Sequence, residues 1–464
     1  MGKIIRRTLT ALLIVIFALS AAIVGAKIQM YTATGEDYAN EVESQDIAKL
    51  RARDKAIKKA TKQAGVYLKT YSRSVNSELT DDEVTAITSN AWQLVSEPKY
   101  SSKIVKGSDE TSIIIWTATV EVNVDDSEIQ SWIKRDDKDK STIITQTREA
   151  QKASEENERK IEDLREKYKR ATSQAEKDSL RKQMTDADRY FLANQKFEEA
   201  LKLHYAKNYD GAIKLFNEAI EFKPDWSWPY NNRGVTYINL KQYKQAIQDY
   251  DKAIQLNPNY AAAYNNRGMT YDILRNLDKA LDDYTKAIQL DPNNATAINN
   301  RGIIYAIIKN FNLAIQDFNK FIQLRPNNFI GYRLRAMSYY ELKQHKLAIQ
   351  DFTKSIQLNP NDAGAYQLRG IAYASLKQYE RAIQDYDKVI QLNPNYSEAY
   401  TNRGVAYALL GNFKQAIYDA TRAIQLNPNY AEAYQLRGMC YKDLGEEAKA
   451  QADFAKAKEL GYDG

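Results

Sequence analysis

The sequence predicts a mainly α-helical chain: an α-solenoid of eight helix hairpins, preceded by a small α/β domain and a charged helical connector. Three observations carry this. Pro224, Pro258, Pro292, Pro326, Pro360, Pro394 and Pro428 recur every 34 residues. Residues 146–184 contain neither proline nor glycine and alternate charges of both signs. Ile114, Trp116, Ala118, Val120, Val122 and Val124 alternate as a half-buried strand does.

The composition is that of a folded chain. The 464 residues are 44% hydrophobic and 27% charged, with 9 Pro and 18 Gly, which excludes a collagen-like or disordered protein. The length leaves room for about three domains. Lys and Arg number 66 against 60 Asp and Glu, a balance too mixed for a dedicated nucleic-acid binder. One cysteine, Cys440, and two histidines, His204 and His345, exclude a disulfide framework and leave no Cys/His set for zinc.

In the N-terminal segment, Lys3, Arg6 and Arg7 precede an apolar run from Thr8 to Val24, and Val24-Gly25-Ala26 supplies small residues before Lys27. This pattern over residues 1–26 is expected to be a secretory signal peptide. The run is also about as long as the shortest spanning helix, so an N-terminal membrane anchor is the alternative. No cysteine lies near the junction, which excludes a lipoprotein, and Arg6-Arg7 alone says little for a twin-arginine route. Both readings place the rest of the chain outside the cytoplasmic membrane, in the periplasm or cell envelope. A cysteine-poor exported chain must then be held by packing alone.

Residues 27–135 read as the small α/β domain. Ile28 to Tyr38 forms a short strand, and Ser44 caps a helix to about Leu68. Ala48, Ala52, Ala56, Ala60 and Ala64 recur at four-residue spacing, so this helix can lie close against a sheet. Thr80 and Glu83 form a capping box for a second helix with Val84, Ile87 and Ala91 on one face. Two strands follow, turning at 106–110. This order, with Gly35 after the first strand, Gln63-Ala64-Gly65-Val66 and the long last strand, resembles the N-terminal domain of flagellar assembly protein T and related envelope lipoproteins. The resemblance implies an envelope-located interaction domain without catalysis; a flagellar role is not carried over.

Residues 136–192 read as the connector. Ile161, Leu164, Tyr168, Ala171 and Ala175, then Leu180, Met184, Ala187 and Phe191, follow helical spacing. They predict one long solvated helix docking by its C-terminal end on the repeats; the alternative is a dimerising coiled coil.

Residues 193–464 divide into eight units of 34. Counting from Ser227 as position 1, position 8 holds Gly234, Gly268, Gly302, Ala336, Gly370, Gly404 and Gly438. Position 20 holds Ala246, Ala280, Ala314, Ala348, Ala382, Ala416 and Ala450, and position 11 holds Tyr237 and its six equivalents to Tyr441. A divergent first unit carries Ala200, Ala212, Phe216, Ala219 and Pro224. Small residues at 8 and 20 let two antiparallel helices, A and B, approach. Aromatic residues at 4, 11, 17 and 24 fill the space around them, and the proline ends helix B. These residues closely resemble tetratricopeptide repeats. That resemblance implies a right-handed superhelix whose concave face is made mainly by the A helices.

Position 7 departs from the common form of that family, being arginine in place of leucine: Arg233, Arg267, Arg301, Arg335, Arg369, Arg403 and Arg437. These could form a basic ladder for an acidic partner. Position 23, however, is always aspartate: Asp249, Asp283, Asp317, Asp351, Asp385, Asp419 and Asp453. Seven matched pairs, one member per helix, predict structural salt bridges, because an unpaired buried arginine is costly.

The candidate groove residues are at positions 5 and 6: Asn231, Asn232, Asn265, Asn266, Asn299, Asn300, Arg333, Gln367, Thr401, Asn402 and Gln435. An asparagine amide can grip a peptide group twice. Asn232, Asn266, Asn300 and Asn402 are similar to the asparagine ladder of O-linked N-acetylglucosamine transferase, interrupted here by Leu334, Leu368 and Leu436; a plain solvated face is the alternative. The chaperone-tail clamp of some relatives is not supported, because position 5 lacks lysine and position 9 is apolar from Val235 to Met439.

No phosphate-binding glycine loop, zinc-protease motif or nucleophile elbow occurs. His345 replaces an aromatic at position 17 and reads as packing, and Cys440 reads as an inert thiol. The expectation is therefore a scaffold with no catalytic residues, cofactor or metal. It binds a protein or peptide, extended or helical, in the concave groove, and does not bind nucleic acid. A periplasmic chaperone or assembly factor for a surface structure is the first alternative. An enzyme active in the N-terminal domain is the second.

Overall fold

The computed structural model describes residues 28–39, 43–74, 79–106, 112–125 and 137–462. The signal or anchor reading of residues 1–26 and the turn at 107–110 lie outside them. The chain divides between Gln242 and Tyr243 into two compact units.

The first unit begins with strand β1 (Ile28–Ala39), helices α1 (Gln45–Ser74) and α2 (Asp81–Ala91), and strands β2 (Trp92–Leu94), β3 (Lys99–Lys106) and β4 (Ser112–Asp125). Among the described residues all pairings are antiparallel to β4: β1 along residues 114–125, β3 along 112–119 and β2 along 122–124. Ala48, Ala52, Ala56, Ala60 and Ala64 of α1 are all fully buried. Ala56, Ile57 and Ala60 pack on Ala33, Val120 and Val122 of the sheet. Contact is closest at Gly35, where a Cβ would stand 2.3 Å from the Ala52 carbonyl oxygen. Gly35 lies inside β1, not after it, because the alanine face of α1 crosses the strand there. The Thr80 capping box forms: the Thr80 amide donates to Glu83 Oε2 at 2.8 Å and the Glu83 amide to Thr80 Oγ1 at 3.2 Å.

The connector is not one long helix. Helix α3 (Asp137–Arg170) stops, and α4 (Gln174–Tyr205) restarts behind Ser173, whose extended backbone and side-chain bond to the Glu176 amide make an N-cap. The chain folds back there, so Ile161, Leu164 and Ala171 bury against Leu180, Met184 and Ala187. The seam that suggested a coiled coil is thus closed within one chain. Helix α4 also runs through 192–193 without interruption. Its second half packs on α5 (Tyr209–Phe222) through Phe197, Ala200, Ala212, Phe216 and Ala219, and α6 (Ser227–Asn239) ends the unit.

The second unit starts with α7 (Tyr243–Leu256) and continues as six hairpins. Their helices are α8 (Ala261–Ile273), α9 (Leu277–Leu290), α10 (Ala295–Ile307), α11 (Phe311–Leu324), α12 (Phe329–Glu341), α13 (His345–Leu358), α14 (Ala363–Ser375), α15 (Tyr379–Leu392), α16 (Ser397–Leu409), α17 (Phe413–Leu426), α18 (Ala431–Asp443) and α19 (Glu447–Glu459). The position-20 alanines are fully buried. A Cβ on Gly370 would meet the Tyr386 ring at 2.7 Å, and one on Gly438 would meet Phe454 at 2.7 Å. In these two hairpins the missing side chain at position 8 leaves room for the aromatic ring at position 24.

Candidate protein-binding surface

In the second unit each position-7 arginine is held by two helices besides its own. Arg267 Nε donates to Asp283 Oδ2 at 2.8 Å and Nη2 to Asp283 Oδ1 at 2.7 Å. Its Nη1 reaches back to Asp251 Oδ1 of the preceding hairpin at 2.5 Å. The same bidentate fork joins Arg301 to Asp317, Arg335 to Asp351, Arg369 to Asp385, Arg403 to Asp419 and Arg437 to Asp453. The backward bond goes to Thr285, Asn319, Thr353, Asp387 and Thr421 in turn. In the first unit Arg233 donates to Asn217. Both charges are spent inside the array, so these arginines do not form a surface for an acidic partner. Sequence reasoning missed the backward bond. Its signal is at position 25, where Asn217, Asp251, Thr285, Asn319, Thr353, Asp387 and Thr421 all carry an acceptor oxygen.

The asparagine positions sit deeper than a ladder requires. Asn231, Asn232, Gln367 and Thr401 are buried, Gln367 being only 4% exposed. Asn265, Asn266, Asn299, Asn300, Asn402 and Gln435 are half-buried. Asn232 donates to the Trp228 carbonyl of its own helix, and Asn265 to Asn266. Arg333 bonds Asp362, at the start of the next A helix, at 2.9 Å. Position 5 therefore points toward the following hairpin, and the neighbouring helix covers what a helical wheel leaves open.

Several exposed A-helix side chains are apolar. Position 9 presents Met337, Val405 and Met439 at 41%, 40% and 52% exposure, and one turn on Leu409 is 58% exposed. Between α14, α15 and α16 a cavity of about 320 Å³ opens, lined by Ile371, Ala374, Tyr386, Asn402, Val405 and Leu409 among others. Asn402 is the only candidate groove residue on its wall.

Other reactive groups are structural. Burial pushes the Cys440 thiol up to about 11, so it stays protonated. His345 lies tilted against Tyr340, with ring centres 5.0 Å apart. Among the described residues no group of His, Cys, Asp or Glu is arranged to hold a metal ion. No described helix is long and apolar enough to cross a membrane.

In the first unit His204 Nδ1 lies 2.9 Å from Thr236 Oγ1, whose hydroxyl donates to the Asn232 carbonyl. Burial lowers its pKa from 6.5 to about 4. A folded value below the unfolded one means that the folded state binds fewer protons between those limits. The contribution is therefore complete above pH 6.5 and lost as pH falls toward 4. Replacing His204 with Gln should gain about 3 kcal/mol relative to wild type on going from pH 7.5 to pH 4. Paired chemical denaturations at the two pH values measure this difference.

A run of antiparallel helix hairpins, each tied to the next and exposing one apolar helix face, defines a helical-repeat solenoid of the protein-interaction class. Models of the tetratricopeptide repeat match residues 227–260, 261–294, 330–362 and 397–430 and residues 283–316, 352–384 and 420–452. A TPR repeat model matches 370–411. The chain is a tetratricopeptide repeat protein. Among solved structures it is similar to YrrB, described as a TPR protein with an unusual peptide-binding site, at 28% identity over 40% of this chain and 95% of that one, with a TM-score of 0.37. It is similar to MamA at 28% identity over 34% and 93%, with a TM-score of 0.33. A tetratricopeptide repeat protein from Parabacteroides merdae is 22% identical over 51% and 94%, with a TM-score of 0.41. No curated protein matches the chain.

Proposed function

We propose that this protein is a non-enzymatic scaffold of the cell envelope whose exposed A-helix face holds a partner by apolar side chains. The observation that carries the reading is the stripe of Met337, Val405, Leu409 and Met439 beside the 320 Å³ cavity. Water-exposed aliphatic groups on the A helices α12, α16 and α18 gain most when a partner covers them. The partner is an extended peptide or a helix with apolar anchors spaced to meet successive hairpins. Asn402, on the cavity wall, is placed to bond the partner's backbone beside such an anchor. Export rests on the basic start, the apolar run Thr8–Val24 and the small residues before Lys27. Fractionation of the producing cells tests it separately.

Photo-reactive groups at Leu409 and Met439 should crosslink one protein partner, and Val405→Asp should abolish that crosslink. Because these side chains are exposed, Val405→Asp should shift stability by no more than about 0.5 kcal/mol. Equal crosslinking from Tyr418, 62% exposed on the B helix α17, would assign the contact to general stickiness and reject the face.

A further inference from the structure

We propose a second interaction surface, at the turn end of the A helices: the edge formed by the A-to-B turns of residues 243–464 docks on an anionic lipid surface. The first observation is backbone strain. Arg275, Lys309, Lys343 and Lys377, all at position 15, adopt left-handed conformations with φ of 60°, 62°, 60° and 58°. That region favours glycine, and the last two hairpins use Gly411 and Gly445 for the same turn. The turn is the same throughout: the next amide returns to the tyrosine carbonyl at position 11, as Asn310 does to Tyr305 at 2.7 Å and Glu446 to Tyr441 at 2.8 Å. Glycine therefore serves the fold at this position, yet four successive hairpins carry a cation. In the first unit Lys207 and Lys241 repeat the choice, with φ of 62° and 58°.

The second observation is that these cations do nothing inside the molecule. All four side chains in the second unit are exposed. None has an ion pair, a side-chain hydrogen bond or a ring contact among the described residues. A cation at a helix C-terminus does interact favourably with the helix dipole. Any position in the last turn would supply that gain without left-handed backbone, so the dipole does not select position 15.

The third observation fixes the partner. Directly before the cations stand exposed aliphatic pairs: Ile273-Leu274 before Arg275 and Ile307-Ile308 before Lys309, each side chain close to half exposed. Two neighbouring turns thus present apolar tips next to unpaired positive charge. Phosphate chains of nucleic acid are gripped by cations interleaved with aromatic or polar groups. Aliphatic tips beside cations suit a bilayer interface, where the tips enter the acyl boundary and the charges meet anionic headgroups. Each signal alone is weak, and the two together give stable attachment.

The test uses the chain from residue 27 onward, without the apolar run Thr8–Val24 that would itself enter any bilayer, and vesicles made either of phosphatidylcholine alone or of equal parts phosphatidylcholine and phosphatidylglycerol. Co-sedimentation should be seen with the anionic vesicles only and should fall as salt is raised. The variant Arg275→Gly/Lys309→Gly/Lys343→Gly/Lys377→Gly should lose at least about tenfold in vesicle partition. Its melting temperature should hold or rise, because glycine relieves the left-handed turns. Leu274→Ser/Ile308→Ser should weaken partition and leave the salt dependence in place. If the glycine variant melts lower, the corresponding fourfold glutamine variant, which keeps a long side chain, decides by the same loss. Partition unchanged in either charge variant, equal binding to neutral vesicles, or retention on a nucleic-acid column with none on vesicles would overturn the proposal.

Discussion

Replacing Arg267 with leucine should cost the array about 3 kcal/mol and loosen two hairpins instead of one. The Asp283 side chain is only 6% exposed and takes both of its hydrogen bonds from Arg267 at 2.7 and 2.8 Å. Without the guanidinium, a buried carboxylate is left with no counter-charge. That uncompensated charge, more than the lost attraction, sets the size of the effect. Arg267 is itself 20% exposed, which keeps the value near the low end of the range for buried pairs. The backward bond predicts where the damage spreads. Arg267 ties α8 to α9 through Asp283 and to α7 through Asp251. Amide exchange should accelerate on all three helices, because repeats are stabilised by nearest neighbours. Arg267→Leu/Asp283→Leu should recover most of the loss by removing both charges. Asp251→Ala should cost less than about 0.5 kcal/mol, since its carboxylate is half exposed. A single leucine variant that melts like wild type would show that the pair contributes nothing.

The repeats were legible because their determinants are local and periodic. Proline every 34 residues, a missing side chain at position 8 and alanine at position 20 each fix a contact within one hairpin, and one hairpin is copied down the chain. The fork from Arg267 to Asp283 was legible for the same reason, as one charge per helix at constant spacing. What failed to show depends on how neighbours meet. Position 5 lies on an accessible face of an isolated helix, yet the following hairpin covers Gln367 and Arg333 turns to Asp362. The solvent-facing apolar groups belong instead to position 9, whose apolar character in the sequence alone argues only against a chaperone-tail clamp. The fold-back between α3 and α4 contains neither proline nor glycine. Its only local mark is Ser173 followed by Glu176, and the same 3-4 spacing of apolar residues serves a coiled coil and an intramolecular hairpin equally. The first strand runs to Ala39 much as its residues predict, and Gly35, expected to follow it, lies inside it because the glycine answers to helix α1 packed above it.

Arg165 should prove the most sensitive residue of the first unit. It sits on α3, 2% exposed, and spends its donors on partners far back in the sequence. Nε bonds Glu43 Oε1 at 2.9 Å, Nη1 bonds Asp37 Oδ1 at 2.9 Å, and Nη2 bonds the Tyr38 carbonyl at 2.6 Å. The guanidinium also lies 3.9 Å from the centre of the Tyr38 ring. Arg51 of α1 shares the same carboxylates and adds Asp188 of α4. Strand β1, helix α1 and the α3–α4 hairpin are thus joined by two buried arginines and three carboxylates. Removing Arg165 leaves two buried negative charges on Asp37 and Glu43, with Arg51 shared between them and Lys55 3.7 Å from Asp37 Oδ1. Arg165→Met, which keeps much of the volume, should cost about 4 kcal/mol. Exposed Arg159 on the same helix, changed to Ala, should cost no more than about 0.5 kcal/mol. Adding Asp37→Asn and Glu43→Gln to Arg165→Met should restore part of the stability, because neutral amides need no counter-charge. Amide exchange in β1 and α3 reads the effect directly. If Arg165→Met and Arg159→Ala exchange alike, the cluster is not what fastens the hairpin to the sheet, and apolar packing alone must do so.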